Sequence, residues 1–165
     1  MQRVVVLGCG GAGKTAVSNA LAERTGLPVV YLDRIFWRAG WQPTPRDEAR
    51  AVLDVTIAEE RWILDGNWLS VGDARFERAD TVVFLDIPRT TCLARVIRRA
   101  VRDRRTGRPD LPEGCREGFD WTFLKWIWNF GRDDRPRILE TLAAFSGTVV
   151  HLRSAHEVKQ YVESL

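Results

Sequence analysis

Residues 3–15 read Arg3-Val4-Val5-Val6-Leu7-Gly8-Cys9-Gly10-Gly11-Ala12-Gly13-Lys14-Thr15. The run of valines and leucine has the length and β-branched character of a strand buried on both faces. Glycines end it, and a helix-like segment runs from Lys14 to about residue 25. Residues 8–15 satisfy G-x-x-x-x-G-K-[ST] in full, in the strand-to-helix context that the motif requires. Glycines let successive backbone N–H groups point inward around a phosphate, and the helix N-terminus adds its partial positive charge. Gly8, Gly10, Gly11, Ala12, Gly13, Lys14, Thr15 and Ala16 are therefore the expected nucleotide-binding residues. Lys14 would reach the β- and γ-phosphates and the Thr15 hydroxyl would coordinate Mg²⁺, so ATP with Mg²⁺ is the expected cofactor. Cys9 lies within the loop; a thiol near a helix N-terminus is prone to oxidation, but a small residue that fits is the simpler reading.

Working outward, strand-length apolar runs recur at residues 29–32, 62–64, 81–85 and 148–152. Helix-like segments lie between and after them, at about 45–60, 90–103, 119–130, 136–145 and 155–164. Thr44 is the expected N-cap of the first of these, with Pro45 at its first helical position. Strands alternating with helices predict an α/β fold, a three-layer, doubly wound, five-stranded parallel sheet. A chain of 165 residues, 45% apolar and 28% charged, suits one domain with its own core and excludes collagen-like, repeat and disordered classes. The expectation is a single domain over residues 1–165 with an arginine-rich insertion at about 103–118, where glycines and prolines break regular structure. No apolar run reaches the roughly 18 residues of a membrane span, and the N-terminus has no signal-peptide pattern. Three widely spaced cysteines form neither a disulfide framework nor a metal motif. A cytoplasmic protein is expected.

In α/β sheets ligands gather at the carboxyl ends of the strands. Three of the later strand signals finish there with an aspartate: Asp33, Asp65 and Asp86. Each on its own is explained by a turn; the three together, beside a loop that needs Mg²⁺, predict a metal and substrate cluster that takes at least two of them.

The segment WILDGNW (62–68) resembles the Leu-Asp-Gly strand end of adenylate-kinase-type enzymes, and VVFLDIP (82–88) resembles their Asp-Val-Pro. Arg95 and Arg99 resemble the family's paired arginines around the ATP base and phosphates. YLDRIFW (31–37), WILDGNW and FDWTFLKWIWNF (119–130), followed by RPRIL (135–139), are similar to the related topology modulation proteins (FlaR-type). The resemblance implies a P-loop NTPase of nucleotide-kinase type with an arginine-rich lid. It further implies Mg²⁺ held through Asp65 and Thr15, and catalytic roles for Lys14, Arg95, Arg99 and an arginine beyond the lid. Arg132, Arg135 and Arg137 compete for that last role; Arg135 is the candidate carried forward.

The acceptor side departs from nucleoside monophosphate kinases. Arg34 could clamp an acceptor phosphate. Asp33 instead suggests a base for a hydroxyl, a service worth roughly 10²–10⁴-fold in rate that an anionic acceptor does not need. Asp33, Arg34, Trp37, Asp65 and Asn67 form the expected substrate site, while Trp37 and Trp41 are read equally as stacking surfaces or as packing. The expected partner is a small-molecule phosphoryl acceptor: a nucleotide, a nucleoside or another small hydroxyl compound.

The positive charge is local. Residues 89–108 carry eight arginines against Asp103, a net +7, so the rest of a chain of formal charge +3 sums to −4. On a helix, Leu93, Val96, Ile97, Ala100 and Val101 would share a core face opposite Arg95, Arg98, Arg99 and Arg102. Arginine forks bind phosphate bidentately, so a lid over ATP is the leading reading. A nucleotide-switched DNA-binding or topology-modulating protein is the alternative, with steep salt dependence; a membrane-surface helix is disfavoured because the sheet claims the apolar face. The aromatic residues of 119–130 are expected to pack in the core rather than to stack on bases. His151 and His156 are read as structural.

Overall fold

The computed structural model describes residues 1–69, 74–102, 111, 114–115 and 120–165. The predicted lid at 103–118 lies outside these residues, apart from Leu111, Gly114 and Cys115.

Strand β1 (Arg3–Gly8) is the centre of the sheet. It pairs in parallel with β5 (Trp62–Asp65) on one side and β6 (Thr81–Leu85) on the other. Strand β2 (Val29–Tyr31) flanks β5, and β7 (Thr148–Leu152) flanks β6. The order is thus β2-β5-β1-β6-β7, all parallel. Val4, Val5, Val6 and Leu7 point alternately to opposite faces, and all four are fully buried. Helices therefore cover β1 on both sides, giving the expected three layers. Burying these four side chains contributes roughly 6–12 kcal/mol before the entropic cost.

Helix α1 (Lys14–Thr25) packs on β1 and β5 and meets α8 (Ala155–Ser164). Gly26, in the left-handed region, stops α1 with its N–H on the Ala22 carbonyl. Short α4 (Ala74–Arg78) packs on β1 and on α3 (Arg46–Ala58). Pro45 is the N-cap of α3, not its first helical residue. Helix α5 (Arg89–Arg102) packs on α6 (Trp121–Asp133), and α6 on α7 (Arg135–Ala144).

Three sequence expectations change. Strand β2 stops at Tyr31, and Leu32 begins α2 (Leu32–Phe36), followed by a hairpin of β3 (Trp37–Arg38) and β4 (Gln42–Pro43). Asp33 therefore sits in the first turn of a short helix, not at a strand end. On α5 the buried stripe is Cys92, Val96 and Ala100, while Ile97 is 40% and Val101 66% exposed. The apolar face is rotated from the predicted one because the phosphate-loop backbone comes against Cys92 and Val96: a Cβ on Gly11 would lie 2.5 Å from the Cys92 carbonyl oxygen. On α6 only Ile127 and Phe130 are buried, with Trp121 76% and Trp128 48% exposed. The aromatic residues of α6 are thus not all core: Trp128 lies under the Arg89 guanidinium at 3.9 Å.

Candidate active site

The loop from Gly8 to Thr15 leaves the carboxyl end of β1 and enters α1. Gly11 (φ 83°) and Gly13 (φ 108°) adopt left-handed backbone that side chains rarely take. Gly13 is the N-cap of α1 and brings no capping side chain, so the orphan N–H groups of the first turn are not served by a cap side chain. Lys14 folds back so that Nζ donates to the carbonyls of Gly8 (2.9 Å) and Cys9 (3.2 Å). Thr15 and exposed Ala16 follow on the first turn of α1.

Three neighbours shape this loop. Arg95 on α5 donates through Nη1 to the carbonyls of Gly11 (3.3 Å) and Ala12 (3.0 Å). Arg99, one turn on, is half-buried. From α6, the ring of Phe123, stacked 5.6 Å from Trp126, covers the Cα of Gly10. Below the loop, the buried Cys9 thiol donates to the Ile127 carbonyl at 3.9 Å and the buried Cys92 thiol to the Ile87 carbonyl at 3.6 Å. Cys92 beside it, together with burial, pushes the Cys9 thiol far up. Cys9, with Arg95 and Lys14 nearby, draws the Cys92 thiol down against its own burial.

The third wall is the segment after β5. Asp65 is 6% exposed, in register with Val6 of β1 and Tyr31 of β2, and so stands beside the start of the loop. Asn67 turns its amide onto Gly8: Oδ1 accepts from the Gly8 N–H and Nδ2 donates to the Gly8 carbonyl, both at 2.9 Å. Arg75 of α4, 1% exposed, donates to the carbonyls of Gly66 and Asn67. Nothing local in the sequence marks Arg75; an arginine buried this deeply is visible only once α4 is folded onto β1. Trp68 donates from Nε1 to Asp33 Oδ1 at 2.9 Å and stacks on Phe36 with ring centroids 4.1 Å apart. Trp37 meets both Trp68 and Trp41 edge-on at 5.9 Å.

The predicted substrate residues thus separate. Asp33 and Trp37 join Trp68 in one cluster, whereas Asn67 braces the phosphate loop. Arg34 extends over the Tyr31 ring at 5.7 Å and lines a groove of about 410 Å³ with Tyr31, Arg38 and Glu48 beside the edge strand β2. Asp33, Asp65 and Asp86 do not form one group: among the described residues no three His, Cys, Asp or Glu side chains form a metal-binding group. Asp86 is engaged elsewhere. Arg135 forks onto it with two bonds of 2.8 Å, and His151 Nε2 lies 3.0 Å from Oδ2. Burial works against the Asp86 carboxylate, but Arg135 and His151 outweigh it and hold the group below its usual range. Asp86 in turn raises Arg135. Arg132 pairs with its neighbour Asp133 on the surface.

Comparison with known proteins fits this geometry. The isopentenyl transferase family model matches residues 1–38, the stretch from β1 through α2. Shikimate kinase from Acinetobacter baumannii, solved with shikimate, superposes with a TM-score of 0.63 at 18% identity, covering 99% of this chain and 90% of that one. A sugar kinase from a Janibacter species, solved without ligand, gives 0.50 at 19% identity, covering 99% and 89%. No curated protein matches the sequence significantly. The chain shares the fold of that shikimate kinase, a five-stranded parallel sheet flanked by helices with a phosphate-binding loop after its central strand.

Proposed function

We propose that this chain is a MgATP-dependent small-molecule kinase that transfers the γ-phosphoryl group to a hydroxyl of a small acceptor. One observation carries the reading: residues 66–68 join a complete phosphate-binding loop to a carboxylate, with Asn67 on Gly8 and Trp68 on Asp33. A phosphate cradle and a hydrogen-bonded carboxylate tied to one short segment are the two halves of a hydroxyl phosphotransfer site. The fold shared with a shikimate kinase and a sugar kinase supports it.

Lys14 would leave the loop carbonyls for the phosphates when nucleotide enters, a swap of one set of oxygens for more negative ones. Thr15 and Asp65 suit Mg²⁺, which takes a hydroxyl and a carboxylate beside phosphate oxygens and keeps several waters; the ion would neutralise charge on the transferred group. Arg95 already reaches the loop, and Arg99 shares its face of α5; an arginine positioned on transferring phosphate contributes about 10³–10⁵ in rate. Asp33 would accept the proton of the attacking hydroxyl. A hydroxyl acceptor is favoured over a phosphate acceptor because Arg34, the cation nearest Asp33 in sequence, lies over Tyr31. The adenylate-kinase-like and topology-modulation resemblances are compatible with this chemistry but do not define the acceptor.

The test is ADP release with a panel of nucleosides, nucleoside monophosphates, monosaccharides and small hydroxy acids, for wild type and Lys14→Ala. Transfer above the rate with water alone, abolished in a Lys14→Ala protein that retains its fold, is the expected result. No acceptor above that rate, or undiminished transfer by Lys14→Ala, would refute the mechanism. Within the basic segment Arg95 lies on the phosphate loop, which supports the kinase reading for that residue, and Arg89 lies over Trp128; the alternative DNA role is tested by duplex binding measured against salt, with and without ATP, in Arg98 and Arg102 variants.

A further inference from the structure

We infer that Trp68 is the positioning residue for the acceptor-side carboxylate, and that residues 65–68 set the distance between the phosphoryl donor and the acceptor. The inference rests on the kinase reading above and gives a role to Trp68, the last residue of the WILDGNW segment.

Four consecutive residues, beginning with the last of β5, have successive tasks. Asp65 stands at the strand end beside the phosphate loop. Gly66 and Asn67 give their carbonyls to buried Arg75, which fixes the path of the segment. The Asn67 amide holds both polar groups of Gly8. The indole N–H of Trp68 holds Asp33 Oδ1, leaving Oδ2 with no hydrogen bond among the described residues. A carboxylate tethered through one oxygen keeps the other for a proton. Such a base works only within hydrogen-bond reach of the hydroxyl, and misplacement by about 1 Å can cost on the order of 10² in rate.

Trp68 is held where a tryptophan is seldom found. Its φ is 35°, in the left-handed region that bulky residues avoid. Backbone in such a conformation persists where surrounding contacts over-determine it, and such sites cluster at function. Here the contacts are the Phe36 stack and the edge of Trp37. Both rings belong to the same short segment as Asp33, so Trp68 and Asp33 are locked as one unit.

The substitution Trp68→Phe keeps an aromatic ring for the stack and deletes the N–H. With the best acceptor of the panel, kcat should fall about 10–100-fold while KM for ATP and for the acceptor stay within about twofold. In an Asp33→Asn background the same substitution should change kcat by less than about twofold, because its effect runs through Asp33. A role in packing alone would raise KM or lower thermal stability, and would act equally in both backgrounds. Unchanged kcat in a folded Trp68→Phe protein, or equal losses in both backgrounds, overturns the positioning role while wild-type transfer leaves the kinase reading standing. Wild-type protein without transfer to any acceptor overturns that reading and this inference together.

Discussion

Replacing Asn67 by alanine separates a brace of the phosphate loop from a substrate contact. The side chain makes two neutral hydrogen bonds to Gly8, each 2.9 Å long. Such bonds contribute about 0.5–1.5 kcal/mol apiece, with the upper end applying where a buried group is left unsatisfied. Both are lost together in Asn67→Ala, so the expected destabilisation is about 2 kcal/mol. In a chain of 165 residues each kcal/mol shifts Tm by about 2–4 °C, so the midpoint should drop by roughly 4–8 °C. Gly8 also gives its carbonyl to Lys14 Nζ at 2.9 Å, so a looser Gly8 also loosens the phosphate cradle. If about half of that energy bears on nucleotide binding, ATP affinity falls about fivefold. Asn67→Asp keeps an acceptor for the Gly8 N–H but sets a carboxylate oxygen against the Gly8 carbonyl, and should be no better than alanine. Thermal unfolding and an ATP titration by calorimetry read both effects. An unchanged Tm with a raised acceptor KM would refute the brace and restore Asn67 to the substrate site.

Two further outcomes follow from the same geometry. Gly13→Ala meets nothing closer than 3.9 Å and carries only the strain of φ 108°, about 1–3 kcal/mol, whereas Gly11→Ala adds a Cβ 2.5 Å from the Cys92 carbonyl oxygen; urea unfolding should place Gly11→Ala about 2 kcal/mol below Gly13→Ala, and equal midpoints would show that the loop and α5 are not closely packed. The folded state holds Asp86 below its usual range, so its contribution is fully present above the ordinary aspartate value of 3.8 and is lost as pH falls through the lower folded value. With Arg135 41% exposed the contribution is discounted to about 1–2 kcal/mol, and the stability gap between wild type and Asp86→Asn should close as pH is lowered from about 5 to below 3 in a series of urea midpoints; a gap independent of pH would remove the ion pair from the account.

What the chain spells out in order is what local chemistry determines. The phosphate loop is eight contiguous residues whose glycines, lysine and threonine act where they stand, and the strands announce themselves because a doubly covered strand must be apolar throughout. These signals alone predict the parallel sheet. The phase of α5 is another matter. Hydrophobicity groups Val96 and Ala100 with Leu93, Ile97 and Val101 on one broad face, but the buried stripe is Cys92, Val96 and Ala100, with Ile97 and Val101 exposed. The face turns toward Cys92 because the backbone at Gly11 comes against Cys92 and Val96. The sequence singles out Asn67 and the segment holding Trp68 but not their roles, and it does not mark Arg75, since their partners Gly8, Asp33 and the Gly66–Asn67 carbonyls meet them only through the sheet and helix packing. Asp86 resembles its fellow strand-end aspartates until β7 and α7 bring His151 and Arg135 onto it. Side chains that act on their own backbone are legible in one dimension. Those whose hydrogen-bonding capacity is met by distant residues acquire their roles only when the tertiary structure chooses their partners.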